Sequence, residues 1–108
     1  MIEFVECIGR GEIRIRGNSP ELKEVARRYG GRRPFFRRST WVVSAKSEHE
    51  VAKCLVALRD AGIAMAGGHS GWPPADVFRD LKSKGLVTGP FREVLWNGPG
   101  EAVVHEQE

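Results

Sequence analysis

The residues with the clearest chemical potential form one short segment, residues 27–38, in which six arginines are interspersed with three aromatic residues and no acid occurs. The segment reads Arg27-Arg28-Tyr29-Gly30-Gly31-Arg32-Arg33-Pro34-Phe35-Phe36-Arg37-Arg38. Guanidinium groups bind phosphate through a planar fork of donors, and aromatic rings offer a face on which bases stack. This combination is typical of a site for single-stranded nucleic acid or for another phosphorylated or anionic ligand.

Folding alone accounts for part of this segment. Arg27 and Arg28 fall in the last turn of a predicted helix, where the helix dipole favours positive charge by roughly 0.3–1 kcal/mol each. Tyr29 falls on the core face of the same helix. We therefore place the ligand-binding site in the remainder, whose candidate residues are Arg32, Arg33, Phe35, Phe36, Arg37 and Arg38. The alternative is a solvated rim of arginines that pairs with acidic residues of this chain or of a partner subunit.

A second candidate is the glycine-rich stretch of residues 67–72, which contains His69, Ser70 and Trp72. A histidine beside a serine suggests nucleophilic catalysis or a phosphate-binding loop. However, the stretch lacks the Gly-x-Ser-x-Gly pattern of a nucleophile elbow, and no Lys-Ser or Lys-Thr pair follows its glycines as in a Walker loop. We treat it as a secondary pocket for a small ligand or an enzyme site, or else as a tight connection in which Trp72 covers the core.

The histidines and cysteines predict neither a metal site nor a cofactor. The three histidines, at positions 49, 69 and 105, lack the short spacing of paired metal ligands. Cys7 and Cys54 cannot form a metal framework, and because both fall in apolar segments each is predicted to be a small buried hydrophobe. We predict no catalytic residue and expect a binding protein, not an enzyme.

The charge of the chain is unevenly distributed. The net charge is +3, but residues 1–46 hold eleven Lys and Arg against five Asp and Glu, whereas residues 47–108 hold six against nine. Positive charge confined to one part of a chain is what a binding patch requires. The 108 residues predict one domain. Since no apolar run approaches the roughly 20 residues of a membrane span and no signal peptide is recognisable, we expect a cytoplasmic protein with no membrane partner.

Alternating apolar and polar residues predict a β-hairpin at each end of the chain. In the first, residues 2–8 and 12–16 are the strands, with Ile13 and Ile15 facing the core. The outward positions of its second strand are Arg14 and Arg16. The second hairpin pairs residues 91–96 with residues 101–105 through a turn rich in glycine, and residues 106–108 are predicted to be a frayed tail.

Between the hairpins, capping signals and apolar spacing predict three helices. They begin at Ser19, Ser47 and Pro73 and end at Gly30, Gly62 and Gly85. Residues 35–45 are predicted to form a strand that is interior to the sheet from Thr40 onward, because both of its faces are apolar. The short run of residues 63–66 is either a strand or an extension. The order ββαβααββ predicts an α+β fold, with three helices on one face of a mostly antiparallel sheet of about five strands.

One resemblance concerns the C-terminal part of the chain. Residues 76–87, which end in Leu-Lys-Ser-Lys-Gly-Leu-Val, are followed by the hairpin of residues 91–105. This order resembles the recognition helix and wing of winged-helix regulators, which implies binding of DNA through that helix. The chain departs from the pattern, because eleven residues separate the helix from the preceding one and the helix carries Asp76 and Asp80.

The sequence therefore leaves three hypotheses of function. The first is a non-catalytic protein that binds nucleic acid or a phosphorylated ligand through the arginine-rich segment. The second is a homo-oligomeric interaction module, in which the basic and acidic parts of the chain are complementary between subunits. Three tryptophans could anchor such an interface, namely Trp41, Trp72 and Trp96. The third is a small-ligand or enzyme site in the stretch that contains His69.

Overall fold

The structure is a computed structural model in which residues 2–34, 39–68, 73–98 and 100–108 are described. These residues form three helices and six strands. In chain order the elements are β1 (Phe4–Gly9), β2 (Glu12–Arg16), α1 (Pro20–Arg28), β3 (Thr40–Ser44), α2 (Glu48–Asp60), β4 (Ala64–Ala66), α3 (Pro74–Ser83), β5 (Phe91–Gly98) and β6 (Glu101–Gln107).

The six strands form a single mixed sheet in the order β3-β2-β1-β4-β5-β6. The pairs β1–β2, β2–β3 and β5–β6 are antiparallel, whereas β4 is parallel to both of its neighbours, β1 and β5. The α+β class and the three helices are thus confirmed. The predicted sheet was only roughly right, because it has six strands and two of the five neighbouring pairs are parallel.

The additional strand is the short apolar run whose nature the sequence left open. Its three residues, Ala64 to Ala66, are all at most 2% exposed and lie in the middle of the sheet. Parallel neighbours need a crossover connection, and α2 and α3 supply the two crossovers that lead into and out of β4. Central burial explains why this strand reads as continuous apolar sequence and not as alternation.

The hydrophobic core lies between the helices and one face of the sheet. Val5, Ile15, Trp41 and Met65 occupy one row across β1, β2, β3 and β4, and all four belong to this core. The core also includes buried residues of all three helices. We call the opposite side of the sheet the open face, because none of the described helices contributes to a core cluster there.

The helix boundaries follow the capping signals. The hydroxyl of Ser19 accepts a hydrogen bond from the Leu22 backbone N–H at 3.1 Å, and that of Ser47 accepts one from the Glu50 N–H at 3.1 Å. The Glu50 carboxylate accepts from the Lys46 N–H instead of the N-cap N–H that a capping box predicts. The starts of α1 and α2 are therefore confirmed, while the reciprocal contact of the second is displaced by one residue.

The prediction that β3 is an interior strand is wrong, because β3 lies at one edge of the sheet. Both of its faces are nevertheless buried, with Thr40 and Val42 only 1% and 3% exposed on the open face. The outer edge of β3 is partly paired, since Arg32 and Val42 exchange backbone hydrogen bonds of 2.9 and 2.8 Å. Residues 35–38, which the sequence assigned to the same strand, lie outside the described residues.

The C-terminal hairpin is longer than predicted. Glu106 pairs with Arg92 and Gln107 pairs with Phe91, so the predicted frayed tail is wrong for residues 106–107. Because β5 also pairs with β4, the hairpin is part of the main sheet. The resemblance to winged-helix regulators therefore extends only to the order of the elements. None of the described helices is long and apolar enough to cross a membrane.

Candidate functional site

The described part of the arginine-rich segment divides between the two sides of the sheet. Arg32 forms the isolated bridge with Val42 and its guanidinium lies 2.7 Å from the Glu12 carboxylate on the open face. The Arg33 guanidinium lies 5.7 Å from the ring centre of Trp41, which belongs to the helix-side core. Neighbouring residues of an extended chain point in opposite directions, so these two candidate residues do not share one surface.

The other four candidate residues of this site are Phe35, Phe36, Arg37 and Arg38, and they lie outside the described residues. Arg27 and Arg28, which the sequence assigned to the end of a helix, are in the last turn of α1. Arg28 pairs with Glu24 at 3.4 Å, four residues earlier on the same helix. Arg27 and Arg28 thus belong to the helix layer and not to the surface that carries Arg32.

The open face brings Arg32 together with two arginines of the first hairpin. Arg14 and Arg16 are cross-strand neighbours of Val42 and Thr40, and both point away from the core because Ile13 and Ile15 point into it. We call Arg14, Arg16 and Arg32 the arginine cluster. Arg16 is half exposed, as is predicted for an outward position of the hairpin, and Arg14 is partly exposed.

The arginine cluster is incompletely neutralised by its surroundings. Arg32 pairs with Glu12, and Arg16 lies 3.9 Å from Glu6, at the limit of an ion pair. Exposed pairs of this kind contribute only about 0–1 kcal/mol, and a ligand phosphate can compete with them. Next to Arg16, the Glu6 Oε2 and Thr40 Oγ1 atoms are buried without a hydrogen-bond partner among the described residues. These two polar atoms could therefore accept or exchange hydrogen bonds with water or with a ligand.

An aromatic pair lies on the same face, beside the arginine cluster. Phe4 is the cross-strand partner of Arg16, and its ring makes an edge-to-face contact with Trp96 of β5, with ring centres 5.0 Å apart. The intervening strand β4 presents only Ala64 and Ala66 on this side, and these small residues leave room for rings from β1 and β5 to meet. The side chain of Trp96 remains 41% exposed.

The exposed apolar residues also lie on the open face or at its border. Of the described residues, the large hydrophobic ones that are exposed are Ile2, Trp96 and Val104. Val104 lies on the open face as the partner of Val94, and Ile2 lines a shallow cavity of about 250 Å³ together with Val104 and Ala64. The open face therefore combines a basic part on β2 and β3 with a part on β1, β4, β5 and β6 that is mainly apolar and aromatic and includes the cross-strand pair Arg92 and Glu106.

Phe4 was not predicted from the sequence as a candidate site residue, and Trp96 was predicted only as an anchor of a subunit interface. Each shows the outward parity of its strand, so alternation was the available signal. Alternation cannot predict that β1 and β5 lie on either side of the three-residue strand β4, because strand order is a property of the whole sheet. Arg14 and Arg16 lie at the outward positions that the sequence predicted, and Val42 of β3 separates Arg14 from Arg32.

The secondary pocket residues His69, Ser70 and Trp72 lie outside the described residues. Gly67, the first residue of the glycine-rich stretch, packs closely on β5, because a Cβ atom there would overlap the Glu93 carboxylate. Glu93 is buried and accepts a hydrogen bond from Arg79 at 3.1 Å. That bond, opposed by partial burial and supported by Asp76, raises the pKa of Arg79. These contacts hold α3 against the sheet. The charge of Glu93 is paired with that of Arg79, so this group gives no sign of a ligand site.

The two cysteines differ in a way that the sequence did not predict. Cys54 is buried in the core, and burial raises the pKa of its thiol to about 12. Cys7 is exposed, so its assignment as a buried hydrophobe is wrong. The cause is a β-bulge between Val5 and Cys7, which shifts the register and turns Cys7 to the side of its partner Arg14. Among the described residues, no group of three or more His, Cys, Asp and Glu could hold a metal ion.

Comparison of the chain with protein-family models, with curated proteins and with solved structures found no match.

Proposed function

We propose that the protein binds single-stranded nucleic acid on the open face of its sheet, without catalysing a reaction. The observation that carries the proposal is the juxtaposition of the half-exposed Trp96 and its partner Phe4 with the arginine cluster. Aromatic side chains on a sheet offer stacking faces to unpaired bases, while arginines neutralise the phosphates that link them. Neither feature alone would distinguish a nucleic acid from a simple anion.

The spacing of the strands supports a ligand longer than a single phosphate. β2 and β5 are separated by three strand intervals, which amount to roughly 14 Å at the usual spacing of 4.7–4.9 Å. Arg16 and Trp96 therefore lie on opposite sides of a strip with Phe4 between them. A base stacked on Trp96 would place the adjoining backbone toward Arg14 and Arg16.

Single strands fit this surface better than a duplex. In a duplex the faces of the bases are covered by their neighbours, so an aromatic ring on a sheet could not stack on them without unpairing the helix. The predicted site residues Phe35, Phe36, Arg37 and Arg38 follow Arg32 and Arg33 in the chain, and we keep them in the proposal as candidate contacts from the sequence alone.

The salt dependence of binding tests the proposal. Affinity for a labelled single-stranded oligonucleotide, as RNA and as DNA, is measured by fluorescence anisotropy at increasing salt concentration. For single strands each phosphate contact contributes about 0.7 to the slope of log affinity against log salt. We therefore expect the double variant Arg14→Gln/Arg16→Gln to weaken binding and to flatten the slope by about 1.4. The variant Arg37→Gln/Arg38→Gln tests the candidate contacts of these two arginines in the same way.

The control removes a positive charge from the other layer of the molecule. Arg27 is an exposed arginine of α1, so Arg27→Gln lowers the net charge without altering the open face. We expect this variant to keep the slope of the wild-type protein. If Arg27→Gln and Arg14→Gln weaken binding equally, or if the wild-type protein does not bind single strands even at low salt, the proposal is wrong.

A further inference from the structure

The helix layer carries a second surface feature, a groove between α1 and α2 with a volume of about 690 Å³. At one end the Tyr29 hydroxyl donates a hydrogen bond to the Lys53 carbonyl oxygen at 3.4 Å. The end of α1 thus lies beside the first half of α2, which leaves the start of α1 beside the end of α2. Consistent with this antiparallel arrangement, the groove is also lined by Glu21 and Asp60. We call it the helix groove.

The floor of the helix groove is apolar. Val25 and Ala52 are buried there, whereas Val56, Ala57 and Leu86 are only half buried although they contact the core. Because Ala52 and Ala57 of α2 have short side chains, they do not fill the groove, and its apolar floor is left accessible to solvent. Removal of apolar surface of this kind from water is favourable, so a second apolar surface that covers the floor would stabilise the complex.

The charges at the rim of the helix groove are sorted by sign. The end formed by the start of α1 and the end of α2 carries Glu21 and Asp60, and Asp60 also pairs with Arg59 at 3.0 Å. Glu24 lies midway along α1. The opposite end carries Arg28 and Lys53, beside His49. Glu24 and Arg28 form an ion pair within α1, but both side chains are more than half exposed and remain available to other partners. The groove is thus acidic at one end and basic at the other.

We propose that the helix groove is a self-association surface whose occupant is a second copy of this chain. A two-fold axis across the middle of the groove places the acidic end of each copy against the basic end of the other and encloses the two apolar floors between the subunits. Such an interface is isologous, so a single surface must carry both complementary halves. A groove with opposite charges at its two ends and an apolar middle meets this requirement.

Exchange of the charges at the rim gives a specific test. The first variant, Glu21→Lys/Asp60→Lys, makes both ends basic, and the second, Arg28→Glu/Lys53→Glu, makes both ends acidic. In a two-fold dimer each variant would set like charges against each other in both contacts. We expect self-association of each to weaken by roughly 10- to 100-fold, whereas a mixture of the two should form a heterodimer. Analytical ultracentrifugation of the full chain, over a wide range of concentrations, measures all three cases.

A second pair of variants tests the apolar floor. Val56→Arg introduces a charge in the middle of the helix groove and should abolish the dimer. Val104→Arg introduces the same charge on the open face, where Val104 is 38% exposed, and should leave the dimer intact. A wild-type protein that stays monomeric at the highest concentration overturns the proposal. A dimer that survives Val56→Arg and both charge variants, or one that is lost with Val104→Arg, overturns it as well.

Discussion

At the scale of single residues, Trp96 separates stacking from simple charge attraction. Its ring is part of the open face and keeps 41% of its surface exposed beside Phe4. Base stacking on an aromatic side chain contributes about 1–3 kcal/mol, or roughly 5- to 150-fold in affinity. We therefore expect Trp96→Ala to weaken binding of a single-stranded oligonucleotide by that factor while the slope against salt stays unchanged. Fluorescence anisotropy measures both quantities.

Two further substitutions control this prediction. Trp96→Phe keeps an aromatic face and should recover most of the affinity. Val104→Ala removes exposed apolar area from the same face without removing a ring, and it should have little effect. Equal losses for Trp96→Ala and Val104→Ala would indicate a general apolar contact and would contradict stacking.

Residue by residue, the sequence predicted what depends on local alternation and failed where register intervenes. Ile13 and Ile15 were predicted to be core and are completely buried. Cys7 was predicted to be buried because it falls in an apolar segment, but the bulge after Val5 shifts the parity of the strand and exposes it. A bulge is a property of a strand pair, so a single strand gives no sign of it.

At the scale of elements, the carboxylate of Glu3 joins the start of β1 to the start of α1. It accepts hydrogen bonds of 2.7 Å from the backbone N–H groups of both Asn18 and Ser19. Burial by itself would raise the pKa of Glu3, but the hydrogen bonds from Ser19 and Asn18 outweigh it and hold this pKa below its usual value. The ionised carboxylate accepts these two bonds more strongly than the neutral acid does, so the additional stabilisation is complete above the unfolded-state pKa, about 4.3, and is lost as the pH falls through the lower folded-state value.

We therefore expect Glu3→Gln to lower the free energy of unfolding at neutral pH by on the order of 1 kcal/mol, a value that allows for the partial exposure of Glu3. The difference from the wild-type protein should shrink as the pH falls below about 4. Thermal unfolding at a series of pH values measures it. The control is Glu21→Gln, which removes an exposed acid from the first turn of α1. A Glu3→Gln defect that does not change with pH would contradict the assignment.

The elements themselves were largely predictable, whereas their arrangement was not. Capping residues such as Ser19 and Ser47 are local signals, and both helices start where these residues indicated. The position of β3 at an edge of the sheet could not be predicted from local sequence. Both faces of β3 are buried although it has only one neighbouring strand, so its apolar residues resemble those of an interior strand. The parallel pairing of β4 is likewise determined by the crossovers through α2 and α3.

At the scale of the whole molecule, the uneven charge of the chain does not correspond to one basic surface. Residues 1–46 hold most of the excess of arginine. In the structure these arginines divide between the open face, which carries Arg14, Arg16 and Arg32, and the helix layer, which carries Arg27 and Arg28. The sequence could indicate a local excess of charge, but only the topology of the sheet decides which arginines share a surface.

The two proposed surfaces lie on opposite sides of a molecule whose shortest dimension is 24 Å. A dimer formed through the helix groove would therefore point its two open faces away from each other. A nucleic acid that reaches both faces must pass around at least twice this thickness, so a short oligonucleotide occupies one site only. When two such oligonucleotides are joined by a flexible linker of sufficient length, the second binding event becomes intramolecular and the affinity can rise by 10²–10⁴-fold.

We expect this gain for the wild-type dimer and not for Val56→Arg, which should bind short and linked oligonucleotides with nearly equal affinity. Both proteins should bind the short oligonucleotide alike, because Val56 lies on the helix layer and does not touch the open face. Anisotropy titrations with short, linked and insufficiently linked oligonucleotides measure the effect. A shorter linker that cannot span the dimer should give no gain, which separates avidity from a longer single binding site. A gain that persists in Val56→Arg would contradict a dimer through the helix groove, but it would leave binding to the open face unaffected.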